Sequence, residues 1–288
     1  MDTKELIRKV RKIEIKTKGL TSQIFSGEYH SAFKGKGMAF SEVREYAVGD
    51  EIRTIDWNVT ARFNDPFVKV FEEERELTVM LLVDISNSTM FGTANQLKRE
   101  LITELCAVLA FSASSNKDRI GVIMFSDKIE KFIPPKKGKS HILRIIRELI
   151  NIQPTGKSTN ISEALKYFSK MIKKRSTAFL ISDFRTKGYQ EALKITSKRH
   201  DLIALKINDK AEVELPKIGM AKFKDLESGK TKWVNTSLKS VREKYKKEQI
   251  KFNNEVLEMF KKYNIDKVEI STDKDYIKPL MNLFKRRA

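Results

Sequence analysis

Asp84, Ser86 and Ser88 set three oxygen-bearing side chains at every second position, directly after the continuous apolar run Val79 to Val83. Such a run fits a central strand buried on both faces. Releasing the chain from that strand into a carboxylate and two hydroxyls is a way to hold a small hard cation. Mg²⁺ takes about six oxygens at roughly 2.1 Å and keeps several waters, so these donors suit it and sulfur does not. Alone, Asp-x-Ser-x-Ser is also common loop and capping composition, so its meaning depends on what lies further along. Two later residues are candidates. Thr159 sits just ahead of a helix start marked by Asn160 and Glu163 at capping-box spacing. Asp183 ends STAFLISD, which repeats the pattern of an apolar strand stopping at an aspartate.

The elements that must position these residues alternate along the chain. Residues 2–17 have the periodicity of an amphipathic helix. Thr93 followed by Gln96 has the spacing of a capping-box start for a helix carrying Leu97, Leu101, Leu105, Val108 and Leu109 and ending near Ser114. RIGVIMF, from Arg119 to Phe125, is a second apolar strand, and Lys128 to Ile133 a short edge beside it. Helices follow at 141–150, from 161, at 188–199, at 238–263 and at 276–284. Further strands are expected at 202–207 and 267–270, and a hairpin over 220–235 turns at Glu227-Ser228-Gly229-Lys230. Lys157-Ser158 after the single Gly156 is not a phosphate-binding loop, because the glycine-rich pattern is missing. Helices alternating with apolar strands predict an α/β fold: a doubly wound, mostly parallel sheet, Rossmann-like. One such order is 3-2-1-4-5-6, with the edge strand at 128–133 as the third. In that order Asp84 and Asp183, about a hundred residues apart, end neighbouring strands at the switch point.

Two domains are expected, a small irregular N-terminal module at 1–76 and the α/β domain at 77–288. From Ser31 to Glu76 the chain is polar and punctuated by Gly35, Gly37, Val48-Gly49-Asp50 and Asp65-Pro66. Arg44, Asp50, Arg53, Asp56 and Arg62 read as an ion-pair network fixing that module. A phosphate or carboxylate site on Lys34, Arg44, Arg53 and Arg62 is the alternative. The 288 residues carry a formal charge of +19. Residues 1–76 are balanced, with 14 basic and 14 acidic side chains, so the second part holds the whole excess. Such a surface favours an acidic partner. Its basic runs at 173–175, 245–247 and 285–287 lack interleaved aromatics, so a lysine-rich solvated surface accounts for them and nucleic-acid binding is the runner-up reading. No apolar run nears the ~18 residues of a membrane span, and the charged N-terminus lacks a signal-peptide core, from which a cytoplasmic location is expected. Cys106 is the sole cysteine, which rules out an intrachain disulfide or a cysteine zinc site.

Asp84-x-Ser86-x-Ser88, then Thr159 before a helix, then Asp183 after a strand, is the order of a metal-ion-dependent adhesion site. From residue 77 to 285 the chain therefore resembles the von Willebrand factor A family. The resemblance implies that Ser86, Ser88 and Thr159 ligate Mg²⁺ (or Mn²⁺) directly or through water, with Asp84 and Asp183 as ligands or as water acceptors. Asn87 and Thr89 depart from the family's usual glycine and methionine. Lys157 and Arg185 place positive charge nearby, which either weakens cation binding or helps receive an acidic ligand. Gly35-x-Gly37, FSEVREYAVGDEIRTIDWNVTAR and FVKVFEEERE together resemble the domain-of-unknown-function family 58. That likeness implies partnership with a MoxR-type AAA+ ATPase or its client in chaperone-like maturation.

The function expected is thus a non-enzymatic binding module in which a partner's acidic side chain completes the metal site. A metal-dependent hydrolase is the weaker alternative. Ser86 stands where an Asp-x-Asp phosphotransferase needs its second aspartate, and His30, His141 and His200 form no metal-spacing motif.

Overall fold

The computed structural model describes residues 3–20, 29, 39–63, 65–72, 76–93, 96–156, 158–224 and 231–287. Lys34, Gly35, Gly37, His30, Lys157 and the turn at 227–230 lie outside them. Two compact units are present, one of residues 1–32 with 78–288 and one of 33–77.

In the larger unit, six strands form one sheet: β3 (Thr78–Asp84), β4 (Arg119–Phe125), β5 (Ile129–Lys136), β6 (Thr177–Ser182), β7 (Asp201–Asn208) and β10 (Asp266–Ser271). Their order is β5-β4-β3-β6-β7-β10, parallel throughout except for the antiparallel edge β5. This is the doubly wound order expected from the sequence. Helices cover both faces, so β3, β6 and β7 are buried on each side and mostly apolar. Val79 to Val83 are wholly buried, and a fully buried aliphatic side chain contributes about 1.5–3 kcal/mol relative to exposure. That burial fixes β3 at the centre and points its C-terminal end, Asp84, at the crevice where the strand order reverses.

The helices are α1 (Thr3–Leu20), α3 (Lys98–Ser115), α4 (Lys139–Asn151), α5 (Ile161–Met171), α6 (Gln190–Arg199), the short α7 (Lys210–Val213), α8 (Lys239–Lys262) and α9 (Ile277–Arg287). The α5 start expected from capping is present, with the Glu163 N–H donating to Asn160 Oδ1 at 3.0 Å. The start expected at Thr93 is not. Helix α3 begins at Lys98, where the Leu97 N–H donates to the Glu100 carboxylate (3.3 Å), and Thr93 is used for a long-range contact described below. An antiparallel hairpin, β8 (Met220–Lys224) with β9 (Thr231–Asn235), forms its own two-stranded sheet.

The N-terminal helix groups with the sheet rather than with the module to which residues 1–76 were assigned. It packs on α3 and α4, with Lys16 Nζ on Glu104 and Lys139 Nζ on Glu14, each at 2.6 Å. The smaller unit is also less irregular than its composition implies. It pairs β1 (Ala39–Glu45) with β2 (Phe67–Glu72), antiparallel, around the helix α2 (Trp57–Phe63). Arg44 grips both oxygens of Asp50 at 2.7 Å, and Asp56 caps α2 through the Asn58 N–H (3.0 Å) while pairing with Lys69. Arg53 and Arg62 make no ion pair among the described residues, so two separate pairs stand in place of the expected network.

Candidate functional site

Strand β3 delivers Asp84 into a buried corner, 1% exposed. Its Oδ1 accepts the Ser86 N–H (2.9 Å), which folds the next residues back over the carboxylate. Its Oδ2 accepts the Ser182 hydroxyl from the end of β6 (2.6 Å), a bond across the switch point between residues 98 apart. A 3-10 turn, Asn87–Met90, follows, and the Thr89 N–H and hydroxyl both return to the Ser86 carbonyl at 3.0 and 2.7 Å. The consequence is that Ser86 and Ser88 face the same way, with hydroxyl oxygens 3.1 Å apart.

Asp183 stands one strand over, also buried. The residue after it, Phe184, has φ of 60°, a region that bulky L-residues rarely occupy. The turn is held because the Phe184 ring is fully buried against Phe260 (5.1 Å between centroids) and its N–H donates to Ser182 Oγ (3.1 Å). Asp183 Oδ1 accepts the Arg185 N–H at 3.1 Å. Its Oδ2 accepts the ammonium of Lys98 at 2.9 Å, and the same ammonium donates to Glu212 Oε1 at 2.7 Å.

Electrostatics separate the two aspartates. Burial, and then the charge of Asp183, push Asp84 up to about 6 despite the Ser182 and Ser86 donors. Burial also acts to raise Asp183, but Lys98 and the Arg185 N–H outweigh it and hold that carboxyl below the ordinary range. Burial works against the Lys98 charge, and Asp183 with Glu212 more than restore it. Asp84 is thus the carboxylate of the two without an ion pair among the described residues.

Thr159 is bracketed by the loops on either side of β3. The N–H of Asn160 donates to the Ser126 carbonyl, beyond β4 (2.8 Å), and the Thr186 hydroxyl donates to the Thr159 carbonyl from the loop after β6 (2.9 Å). Glu130 fixes the approach to it. The Glu130 carboxylate accepts the Thr155 N–H and hydroxyl and the Gly156 N–H, each at 2.9 Å, and the Ser126 hydroxyl at 2.7 Å. A Cβ at Gly156 would lie 2.0 Å from Asp127 Oδ1 and 2.2 Å from Ser126 Oγ, so a larger residue there would have to displace those side chains. The structure therefore brings Asp84, Ser86 and Ser88 into one turn, sets Asp183 beside them on the next strand, and suspends Thr159 between the flanking loops.

Composition did not single out Lys98, Ser182, Glu130 or Asp209. Asp209, at the end of β7, is fully buried and accepts the Thr93 N–H (2.9 Å) and hydroxyl, the Ala211 N–H (2.9 Å) and the Thr272 hydroxyl (2.6 Å). It pins the segment between Ser88 and α3 to the far half of the sheet. Arg185 faces outward, with its guanidinium on Gln249 (2.8 Å) and the Glu212 carbonyl (3.2 Å) and over the Phe252 ring.

The donor set admits a hard cation. The Ser86 and Ser88 hydroxyls are hydrogen-bonded to each other at 3.1 Å, a separation compatible with the roughly 3.0 Å between adjacent ligands of an octahedral ion with roughly 2.1 Å bonds. Among the described residues no cluster of three or more His, Cys, Asp or Glu side chains is placed to hold a metal. Any cation held here would therefore have to rest on hydroxyls plus the aspartates.

Fold and site together define a doubly wound α/β domain with a hydroxyl- and carboxylate-lined corner at its switch point. The family described as "Protein of unknown function DUF58" matches residues 42–255, and the chain belongs to it. Uncharacterized protein Rv1480 of Mycobacterium tuberculosis and uncharacterized protein Mb1516 of Mycobacterium bovis are each 30% identical over 232 residues, covering 80% of this chain and 73% of theirs. Two solved structures share the fold: the conserved hypothetical protein BatB from Bacteroides thetaiotaomicron (17% identity, TM-score 0.50) and an aerotolerance-related membrane protein from Bacteroides fragilis (18%, 0.51). Each match covers 73% of this chain and 98% of the other. At such identity the likeness extends to the fold alone. No helix among the described residues is long and apolar enough to cross a membrane.

Proposed function

We propose that this protein is a non-enzymatic, metal-dependent protein-binding module. Ser86, Ser88 and Thr159, with Asp84 and Asp183 close behind, would hold Mg²⁺ or Mn²⁺. When bound, the cation supplies an unsaturated positive centre that attracts a carboxylate from another protein. The observation that supports the reading is the pair of serine hydroxyls, hydrogen-bonded at 3.1 Å, beside the buried Asp84, which has no ion pair among the described residues. Neutral hydroxyl ligands leave the cation most of its charge, which favours an acidic incoming group. The basic surface of the second part of the chain raises encounter rates with such a partner. The partner class we assign is a MoxR-type AAA+ ATPase or its client, in protein maturation or chaperone-like assembly.

The test is a binding assay with purified candidate ATPase in MgCl₂ and in EDTA, comparing wild type with Asp84→Ala and Ser86→Ala. Binding lost in EDTA and in both folded variants supports the reading. Binding that survives chelation removes it.

A further inference from the structure

Beside the corner runs a groove with a volume of about 1200 Å³. Ser88 and Arg185 are among the residues that line it. Its walls are the β8–β9 hairpin, the segment after α7 and the first turns of α8. They are preformed. Thr236 accepts the Ile218 N–H (2.9 Å) and donates to the Gly219 carbonyl (2.8 Å). Arg242 ties the Thr236 and Ser237 carbonyls to α8, and the Tyr245 hydroxyl reaches the Glu212 carbonyl at 3.1 Å.

The lining is apolar where apolar groups are least expected. Ile218, Met220, Trp233 and Leu238 are each more than half exposed, and they lie together in this one groove. Clustered exposed apolar side chains of this kind mark interaction surfaces, and tryptophan is the residue most enriched at binding hot spots. The groove exceeds the ~300–1,000 Å³ of small-molecule sites. Its rim cations are Arg185, Lys232 and Lys244. Of its two carboxylates, Glu212 pairs with Lys98 and also lies 3.9 Å from the Arg185 guanidinium, and Glu248 is the other, so Lys232 and Lys244 carry the excess charge. A second copy would bring the same excess of positive charge.

We propose that this groove receives an extended segment of another protein in which an aspartate or glutamate is followed by apolar side chains. The carboxylate enters at the Ser86–Ser88 corner and the apolar residues lie along Met220, Trp233 and Leu238. The proposal rests on the metal-dependent reading above and adds to it what the partner must carry beyond its acidic group.

A phage-displayed library of random 12-residue peptides, selected on the protein in MgCl₂, provides the probe. Trp57→Phe leaves Trp233 as the sole tryptophan, so its emission reports occupancy of the groove directly. Enriched peptides should pair an acidic residue with an apolar run and shift Trp233 emission to the blue. Their affinity should fall tenfold or more in Trp233→Ala and in Leu238→Ser, both at unchanged melting temperature. Absence of enrichment, or equal affinity for wild type and both variants, overturns the proposal. Peptides that need Mg²⁺ and Ser86 but ignore Trp233 refute the groove and uphold the metal site. Peptides that need Trp233 but ignore EDTA and Ser86→Ala uphold the groove and refute the metal site.

Discussion

Lys98 and Asp183 form an ion pair at 2.9 Å with side chains only 1% and 3% exposed. The ammonium comes from the first turn of α3 and the carboxylate from the end of β6, so the pair fastens a helix to the switch point. It also gives the corner one internal cation and leaves Asp84 without one. Removing one partner of such a pair costs about 3–5 kcal/mol, because the other charge stays buried and uncompensated. Lys98→Met should lose stability of that order in urea denaturation. Lys98→Met combined with Asp183→Asn should lose less than the sum of the two single variants.

Glu130 predicts an acid-sensitive loop. Burial opposes its charge, but the Ser126 hydroxyl and the donors of Thr155 and Gly156 hold it at about 2, below an ordinary value of 4.5. A depressed carboxylate stabilises the fold above the unfolded pKa, and that contribution is lost as pH falls from about 4.5 toward 2. Glu130→Ala should cost about 0.5–1.5 kcal/mol at neutral pH, since solvent screens a partly exposed carboxylate, and flatten the stability profile in that window, measured by thermal melts from pH 7 to 2.5.

His200 acts in a higher window. Its ring is 1% exposed, packs on Phe168 at 4.4 Å, and neither nitrogen has a hydrogen-bond partner among the described residues. Burial, followed by the charges of Arg199 and Arg175, lowers its pKa to about 4 from 6.5. Between those values the unfolded chain takes up a proton that the folded one does not, so stability falls as pH drops from 6.5 to 4. His200→Leu should remove this part of the acid sensitivity without touching the Glu130 part. Melting curves at half-unit pH steps separate the two.

Much of this was legible because burial writes itself into local pattern. Val79 to Val83 could only be a central strand, and Asn160 with Glu163 marked the start of α5 because capping is a short-range interaction. The parallel sheet followed from the alternation of helices and strands. The contacts that build the corner are long-range and leave little local trace. Ser182 to Asp84 spans 98 positions, Lys98 to Asp183 spans 85, and Thr93 to Asp209 spans 116. The one available signal was Lys98 itself, which shares the spacing of the buried Leu101 and Leu105 and so puts a lysine on an inward-facing helix stripe. Thr93 misled for the converse reason, since a residue suited to capping was taken by a distant carboxylate. In the N-terminal segment, charge density concealed a regular strand pair.

The central claim is that Ser86 and Ser88 hold a divalent cation. Isothermal titration of MgCl₂ and MnCl₂ into wild type and into the Ser86→Ala/Ser88→Ala double variant tests it most directly. Saturable one-to-one binding by wild type, lost in a double variant that keeps its circular dichroism spectrum, is the predicted result. The absence of saturable binding to wild type, or equal binding by both proteins, contradicts it.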